Sequence, residues 1–283
     1  MTVLILGARG MLGRDLASIA SAKNHVLGRD IDDFDITDQE RVEKEFIAVR
    51  PQVVINAAGY TDVDGCESKR ELAFSVNAEG TRNIAIGCAT VGAKMIHLST
   101  DYVFDGSSKV PYREEDLPRP LNVYGSSKLQ GERYIQEILE NYLIIRTEWL
   151  YGRHGKNFVD TILRNATRQE ELRVVDDQRG APTFTKDLSS AIDRLIGTEA
   201  RGILHVTNSG SCTWFEFAGQ VLREKNPTNR EVQIIPISST ELARPARRPA
   251  YSLMDCRRYE QVTGSKMRPW QEALKEYLSC NIC

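Results

Sequence analysis

The segment that most constrains this chain is its first thirteen residues. Val3-Leu4-Ile5-Leu6 is a short apolar run that stops at Gly7, and Gly7, Gly10 and Gly13 then recur at three-residue spacing. An apolar run of that length bounded by glycine reads as a buried strand. Met11 to Ala22, immediately behind the loop, reads as a helix. A glycine turn between a strand and a helix lets a ligand approach the backbone closely, and the helix N-terminus favours negative charge. That combination is a pyrophosphate cradle, so the chain should begin with a dinucleotide-binding unit.

The chain beyond this loop keeps the same rhythm. His25 to Gly28 reads as a second strand, and Gln39 to Val49 as a helix with Val42, Phe46 and Val49 on one side, ended by Pro51. Val53 to Ile55, Lys94 to Leu98 and Tyr142 to Arg146 read as strands, with helices over Ala73 to Thr90 and Ser127 to Glu140. Short, almost wholly apolar strands separated by helices predict a parallel sheet covered on both faces. The fold class is α/β: a Rossmann-type doubly wound sheet. The 283 residues suffice for one such domain and a smaller appendage. Arg223 to Pro249, rich in charge and proline, breaks the alternation. The expected division places residues 1–147, with 171–206, in the dinucleotide-binding domain. Residues 148–170 and 207–283 form a smaller C-terminal substrate-binding region.

Composition mainly excludes. A formal net charge of -2 and a pI near 6.2 point to neither nucleic acid nor a membrane surface as partner. No apolar stretch approaches the ~20 residues of a membrane span. The apolar run at the N-terminus is too short for a signal peptide, so a cytoplasmic protein is expected. The six cysteines, Cys66, Cys88, Cys212, Cys256, Cys280 and Cys283, are scattered, which argues against a disulfide framework. The terminal Cys-x-x-Cys reads as a frayed tail rather than a metal site.

Asp30 lies ~20 residues past the glycines, where an acidic residue meets the adenine ribose. Arg29 beside it and Arg9 inside the loop are both suited to a 2′-phosphate. NADH and NADPH therefore both stay open. Tyr124 and Lys128 stand at i and i+4, on one face of a helix. Tyrosine, with a pKa near ~10, is a poor acid-base catalyst until its neighbours act on it, and an ammonium nearby favours the phenolate. Ser99-Thr100 closes the fourth strand, at the edge where ligands bind in such sheets.

With the glycine loop, this Thr/Tyr/Lys set resembles the extended short-chain dehydrogenase/reductase family, over nearly the whole chain. The finer resemblance is to its dTDP-4-dehydrorhamnose reductases. It is carried by Asn56 to Asp64 (NAAGYTDVD), Ser99 to Gly106 (STDYVFDG), Leu121 to Gly125 (LNVYG), Arg146 to Tyr151 (RTEWLY), Asp177 to Thr183 (DQRGAPT) and Arg247 to Ser252 (RRPAYS). The resemblance implies a catalytic triad of Thr100, Tyr124 and Lys128. Gly10, Met11 and Leu12 would lie at the pyrophosphate, and Asp30, Asp35 and Ile36 beside the adenosine. Ala57, Ala58, Gly59, Tyr60, Thr61 and Asn77 would serve the cofactor, with Lys128 on the nicotinamide ribose. Thr100, Asp101 and Trp149 would touch the sugar, Ala181, Pro182 and Thr183 would turn against the sugar-nucleotide, and Arg248 would pair with its diphosphate. Glu148 departs from the smaller residue common before that tryptophan.

The implied reaction is reduction of the 4-keto group of a dTDP-linked 6-deoxy sugar, dTDP-4-dehydro-L-rhamnose, in nucleotide-sugar and polysaccharide biosynthesis. Related dehydratases carry Asp-Glu after the threonine where this chain has Asp101-Tyr102, and tyrosine is a weak base for proton abstraction. Non-catalytic relatives also exist, but the triad here is intact. The resemblance is compatible with a homodimer and, as in some relatives, with magnesium held by acidic groups between subunits. Asp15 stands at one matching position, yet the sequence offers no full ligand set and no metal is assigned.

Overall fold

The computed structural model describes residues 1–228 and 231–279; Cys280 and Cys283 lie outside them. Strands β1 (Thr2–Leu6), β2 (His25–Arg29), β3 (Val53–Asn56), β4 (Lys94–Thr100), β5 (Tyr142–Thr147) and an edge strand Gly202–His205 form one sheet. Its order is Gly202–His205, β5, β4, β3, β1, β2, and every pairing is parallel.

Period-two alternation in the strands sets two cores. Val3 and Ile5 face helix α1 (Met11–Ala20) and helix Thr185–Ile196, packing with Leu12, Leu16, Leu188, Ile192 and Leu195. Leu4 and Leu6 face the other way, onto Val42 and Phe46 of α2 (Gln39–Val49) with Ile84 and Ile135. Each such side chain, fully buried, stabilises by roughly 1.5–3 kcal/mol before the opposing conformational entropy is counted. The chain passes from β1 outward to β2 and then returns across to β3. The carboxyl ends of β1 and β3 therefore flank the switch point, where doubly wound sheets hold ligands.

β4 runs to Thr100, so Ser99 and Thr100 close it as expected. The helix expected from Ser127, by contrast, begins at Val123. The Asn122 side chain accepts from Gly125 N at 2.8 Å and caps that helix, so Tyr124 joins its first turn. The helix expected over Ala73 to Thr90 is broken. Arg70–Phe74 is followed by a π-helical turn, Ser75–Gly80, and then by Thr81–Val91.

A third core gathers Tyr151, Val159, Leu172, Val174, Phe184, Phe217, Trp270 and Tyr277. Strand Glu171–Val175 pairs in parallel with Gln233–Ile237 there. The expected domain division therefore shifts: residues 171–184 pack with the third core, because Leu172, Val174 and Phe184 bury into it. Conversely, Tyr259 and Met267 return to the sheet's core from within 207–283. Cys66, Cys88, Cys212 and Cys256 are free thiols. No helix among the described residues is long and apolar enough to cross a membrane.

Candidate active site

The glycine loop is shaped by backbone contact. Gly7 has φ +77°, where non-glycine residues are strained, and a Cβ there would lie 2.7 Å from Ala58 N. At Gly13 a Cβ would fall 2.0 Å from Gly7 O, so α1 starts flush against the turn. The cavity this opens, of about 580 Å³, is lined by Gly7, Arg9, Gly10, Arg29, Asp30, Asp35, Ile36, Ala57, Ala58, Gly59 and Tyr60 among others. Its cradle of bare backbone at a helix N-terminus fits a dinucleotide pyrophosphate. Met11, Leu12 and Gly13 form the first turn of α1 directly after this cradle, and Thr61 is exposed next to Tyr60.

Both arginines offered for a 2′-phosphate are already engaged. Arg29 Nε donates to Glu45 at 2.7 Å and Nη1 to Gly28 O. Arg9 pairs with Asp32 and reaches Asp33 at 3.4 Å, while its backbone N–H donates to Asp30 Oδ2 at 2.8 Å. Asn77, expected at the cofactor, acts from behind. Its Oδ1 accepts from Tyr60 N at 2.8 Å, and its Nδ2 donates to Tyr60 O and to Ser127 Oγ. The π-helical turn that carries Asn77 thus ties loop 57–61 to the Tyr124 helix.

At the end of β4, successive residues point apart. Ser99 Oγ donates to Glu132 at 2.5 Å, and Glu132 is clamped by Arg146 through bonds of 3.0 and 2.6 Å in a fully buried pair. Thr100 faces the other way, its hydroxyl donating to Asp101 Oδ1 at 3.0 Å and interacting with the Tyr124 phenol. Of the two candidate hydroxyls, Thr100 is therefore the one beside Tyr124. Gly125 makes this approach feasible: a Cβ would sit 2.1 Å from Tyr102 O.

Lys128 is buried and Tyr124 half-buried. Burial, then the Asp101 charge, pushes the Tyr124 phenol up, against which the Thr100 hydrogen bond pulls only in part. The expected drift toward phenolate is thus corrected: desolvation wins, and Tyr124 stays protonated. Lys128 donates to Leu98 O at 2.6 Å and lies 3.2 Å from His97 Nε2. Burial pushes its ammonium down to about 8, opposed by Glu132. His97, buried beside Lys128 and 3.1 Å from Asn56 Nδ2, is held neutral.

Beyond Thr100 lie two carboxyls, Asp101 and Glu148, exposed by only 1% and 2%. Burial raises both above the usual carboxylate range. Ser252 Oγ donates to Glu148 Oε2 at 2.9 Å. Trp149, next in the chain, takes φ +49°, a strained setting for a bulky residue. It stacks on Trp214 at 3.6 Å. Gly180 accepts the tryptophan edge, since a Cβ would come 2.7 Å from it. Ala181, Pro182 and Thr183 are buried behind Trp149, whose carbonyl accepts from Thr183 N.

A second cavity, of about 700 Å³, is walled by Tyr102, Phe158, Trp214, Arg173, Arg244, Arg247 and Arg248 among others. Arg248 is held by Asp64 through bonds of 3.0 and 2.9 Å and by Ala246 O. The sequence reading missed Arg244, Arg247, Trp214 and His97 as site residues. Trp214 and His97 carry no local motif; Arg244 stood in a stretch marked only by charge and proline, and Arg247 opened the RRPAYS block without being given a role. Asp15 is occupied by Thr185 Oγ1 at 2.6 Å, and no cluster of metal-ligating side chains occurs among the described residues.

A glycine-cradled switch-point cleft beside a Thr/Tyr/Lys set defines a nucleotide-dependent oxidoreductase of the Rossmann type. The chain belongs to the family described as RmlD substrate binding domain, whose model matches residues 1–281. It is 42% identical over 282 residues to a dTDP-4-dehydrorhamnose reductase of Streptomyces griseus, covering 96% of this chain and 91% of that one. Among solved structures it resembles the dTDP-4-dehydrorhamnose reductase of Clostridium acetobutylicum (TM-score 0.95, 41% identity, 99% of both chains). It also resembles that of Bacillus anthracis in complex with NADP (TM-score 0.94, 39% identity, 99% of both chains).

Proposed function

We propose that this chain reduces the 4-keto group of dTDP-4-dehydro-L-rhamnose to give dTDP-L-rhamnose, using NADPH or NADH. The observation that carries the reading is the meeting of Thr100 and Tyr124 at the end of β4, between a dinucleotide-shaped cleft and an arginine-walled one. A reduced nicotinamide bound in the first cleft supplies the hydride. Thr100 offers a hydroxyl to the sugar carbonyl. Tyr124, kept protonated by burial, donates its phenolic proton to the oxygen as the negative charge develops there. Lys128 sits one helical turn away, positioned for the nicotinamide ribose. In the second cleft Arg244 and Arg247 present guanidinium groups to a diphosphate, with Arg248, braced by Asp64, adding its charge to the same wall; Trp214, stacked on Trp149, offers a ring face to the sugar or base. Family membership and the NADP named with the Bacillus anthracis relative support the reading.

The test is direct. Purified protein with dTDP-4-dehydro-L-rhamnose should consume NADPH or NADH stoichiometrically with formation of the 4-hydroxy sugar. Turnover of other dTDP-linked 4-keto-6-deoxy sugars in its place would redirect the substrate assignment. Absence of any turnover across that set would defeat the reading.

A further inference from the structure

Behind the reacting groups, a run of buried hydrogen bonds ends on Lys128 and fixes the proton on each atom it passes. It starts from a backbone N–H, which can only donate: Asn56 Oδ1 accepts from Ala58 N at 3.1 Å. The other end of the amide, Nδ2, is thereby turned to His97 Nδ1 at 3.1 Å and, more distantly, to Thr81 Oγ1 at 3.5 Å. Thr81 can accept there, since its own hydroxyl donates to Asn77 O at 2.9 Å. An amide nitrogen donates and never accepts. His97 Nδ1 therefore offers its lone pair, and the proton of the neutral ring sits on Nε2. Asn56, Thr81 and His97 are at most 1% exposed, away from bulk water that could supply other partners.

That proton points at Lys128 Nζ, 3.2 Å away. Nζ itself donates to Leu98 O at 2.6 Å. An ammonium has three N–H groups and no lone pair, so it would set donor against donor at His97. A neutral amine fits. Its lone pair takes the His97 N–H, one of its own N–H groups serves Leu98 O, and the other is left for a ligand hydroxyl. We propose that His97, its ring set by Asn56, is a positioning residue that holds Lys128 as a neutral amine at neutral pH. Its catalytic meaning rests on the reductase reading, which it deepens; the protonation states themselves do not. The groups around Lys128 agree with it. Burial brings the ammonium down to about 8, and an N–H aimed at the same nitrogen favours the neutral form further. Glu132, one turn along the helix, opposes, but its oxygens are committed to Ser99 and to Arg146 of β5, whose charge offsets it. Tyr124, one turn back, stays protonated and uncharged. With the lysine neutral, no ammonium stands beside the phenol to favour the phenolate, and Tyr124 keeps the proton it donates.

The test is nuclear magnetic resonance on the full-length, unliganded protein. Long-range proton–nitrogen spectra of the histidine rings, with His97 assigned by its absence in His97→Gln, should show a neutral ring protonated on Nε2. The ε-methylene signal of Lys128 in carbon-labelled lysine, assigned with Lys128→Arg, should titrate below pH ~7, against ~10.4 for a free lysine. Asn56→Asp replaces the amide nitrogen by an oxygen and puts an acceptor against His97 Nδ1. The ring should then move its proton to Nδ1, Nε2 should accept from an ammonium, and the Lys128 midpoint should rise by at least ~1 unit. His97→Gln adds no charge and can turn an amide oxygen to Lys128, so it should raise the midpoint as well. A loss of packing alone would not switch the tautomer. A wild-type ring protonated on Nδ1, a Lys128 midpoint above pH ~7, or midpoints unchanged in both variants would overturn the proposal. If the protein reduces no dTDP-linked keto sugar, the substrate reading falls, and these spectra, which need no turnover, decide the state of Lys128 on their own.

Discussion

The bidentate pair between Arg248 and Asp64 is the clearest place where the two halves of the site are bolted together. Asp64 lies in the first turn of helix Val63–Ser68, which follows the loop that lines the dinucleotide cleft, and Arg248 stands on the wall of the arginine-rich one. The side chains are 11% and 32% exposed, between the limits set by surface pairs, worth about 0–1 kcal/mol, and buried ones, whose disruption costs about 3–5 kcal/mol. Arg248→Ala loses two charge-assisted bonds and a third to Ala246 O, but Asp64 regains part of its hydration. About 2 kcal/mol of destabilisation is expected, or roughly 4–8 °C in Tm for a domain of this size. Asp64→Asn should cost somewhat less. A double-mutant cycle by urea denaturation should return a coupling of about 1 kcal/mol or more. The Arg248 hydrogen bond holds the Asp64 carboxyl below its usual range. The pair's contribution is therefore full above the unfolded pKa near ~4 and is lost as pH falls through the lower native value. A coupling below about 0.3 kcal/mol, or one that does not decline in acid, would refute the strut.

Tyr124→Phe should bind cofactor and substrate normally yet turn over ~10²-fold or more slowly, as steady-state and ligand-binding measurements would show; near wild-type turnover removes Tyr124 from the chemistry. Glu45→Gln releases Arg29 Nε from its carboxylate and should raise the NADPH/NADH ratio of kcat/KM about 5-fold, roughly one kcal/mol of gained phosphate contact; an unchanged ratio leaves Arg29 outside the 2′-phosphate site. Burial raises Glu148, so folding loses stability as pH climbs from the unfolded carboxyl value toward the native one. Glu148→Gln should accordingly melt higher than wild type at about pH 8, the gain shrinking toward about pH 4; a gain that does not depend on pH would contradict the buried acid.

The sequence by itself determined the elements and the identity of the chemistry. Gly7, Gly10 and Gly13 behind a four-residue apolar run carry a local geometric requirement: Gly7 and Gly13 exclude a side chain where backbone meets backbone, and a Cβ at Gly10 would press on Gly7 O at 3.2 Å. Tyr124 and Lys128 share a face because helical periodicity places i and i+4 together. The alternation of Val3 and Ile5 with Leu4 and Leu6 already divided the two faces of the sheet. What only the tertiary structure decided depends on which distant segments meet. Ser99 and Thr100 are equivalent in sequence until Glu132 and Arg146 take one and Tyr124 the other. Arg29, Arg9 and Arg248 read as free cations until Glu45, Asp32 and Asp64 arrive from elsewhere in the chain. The sign of the Tyr124 shift obeys the same rule. A lysine four residues away is visible in the sequence, but the desolvation that outweighs it exists only once the end of β4 and the Tyr124 helix have packed together.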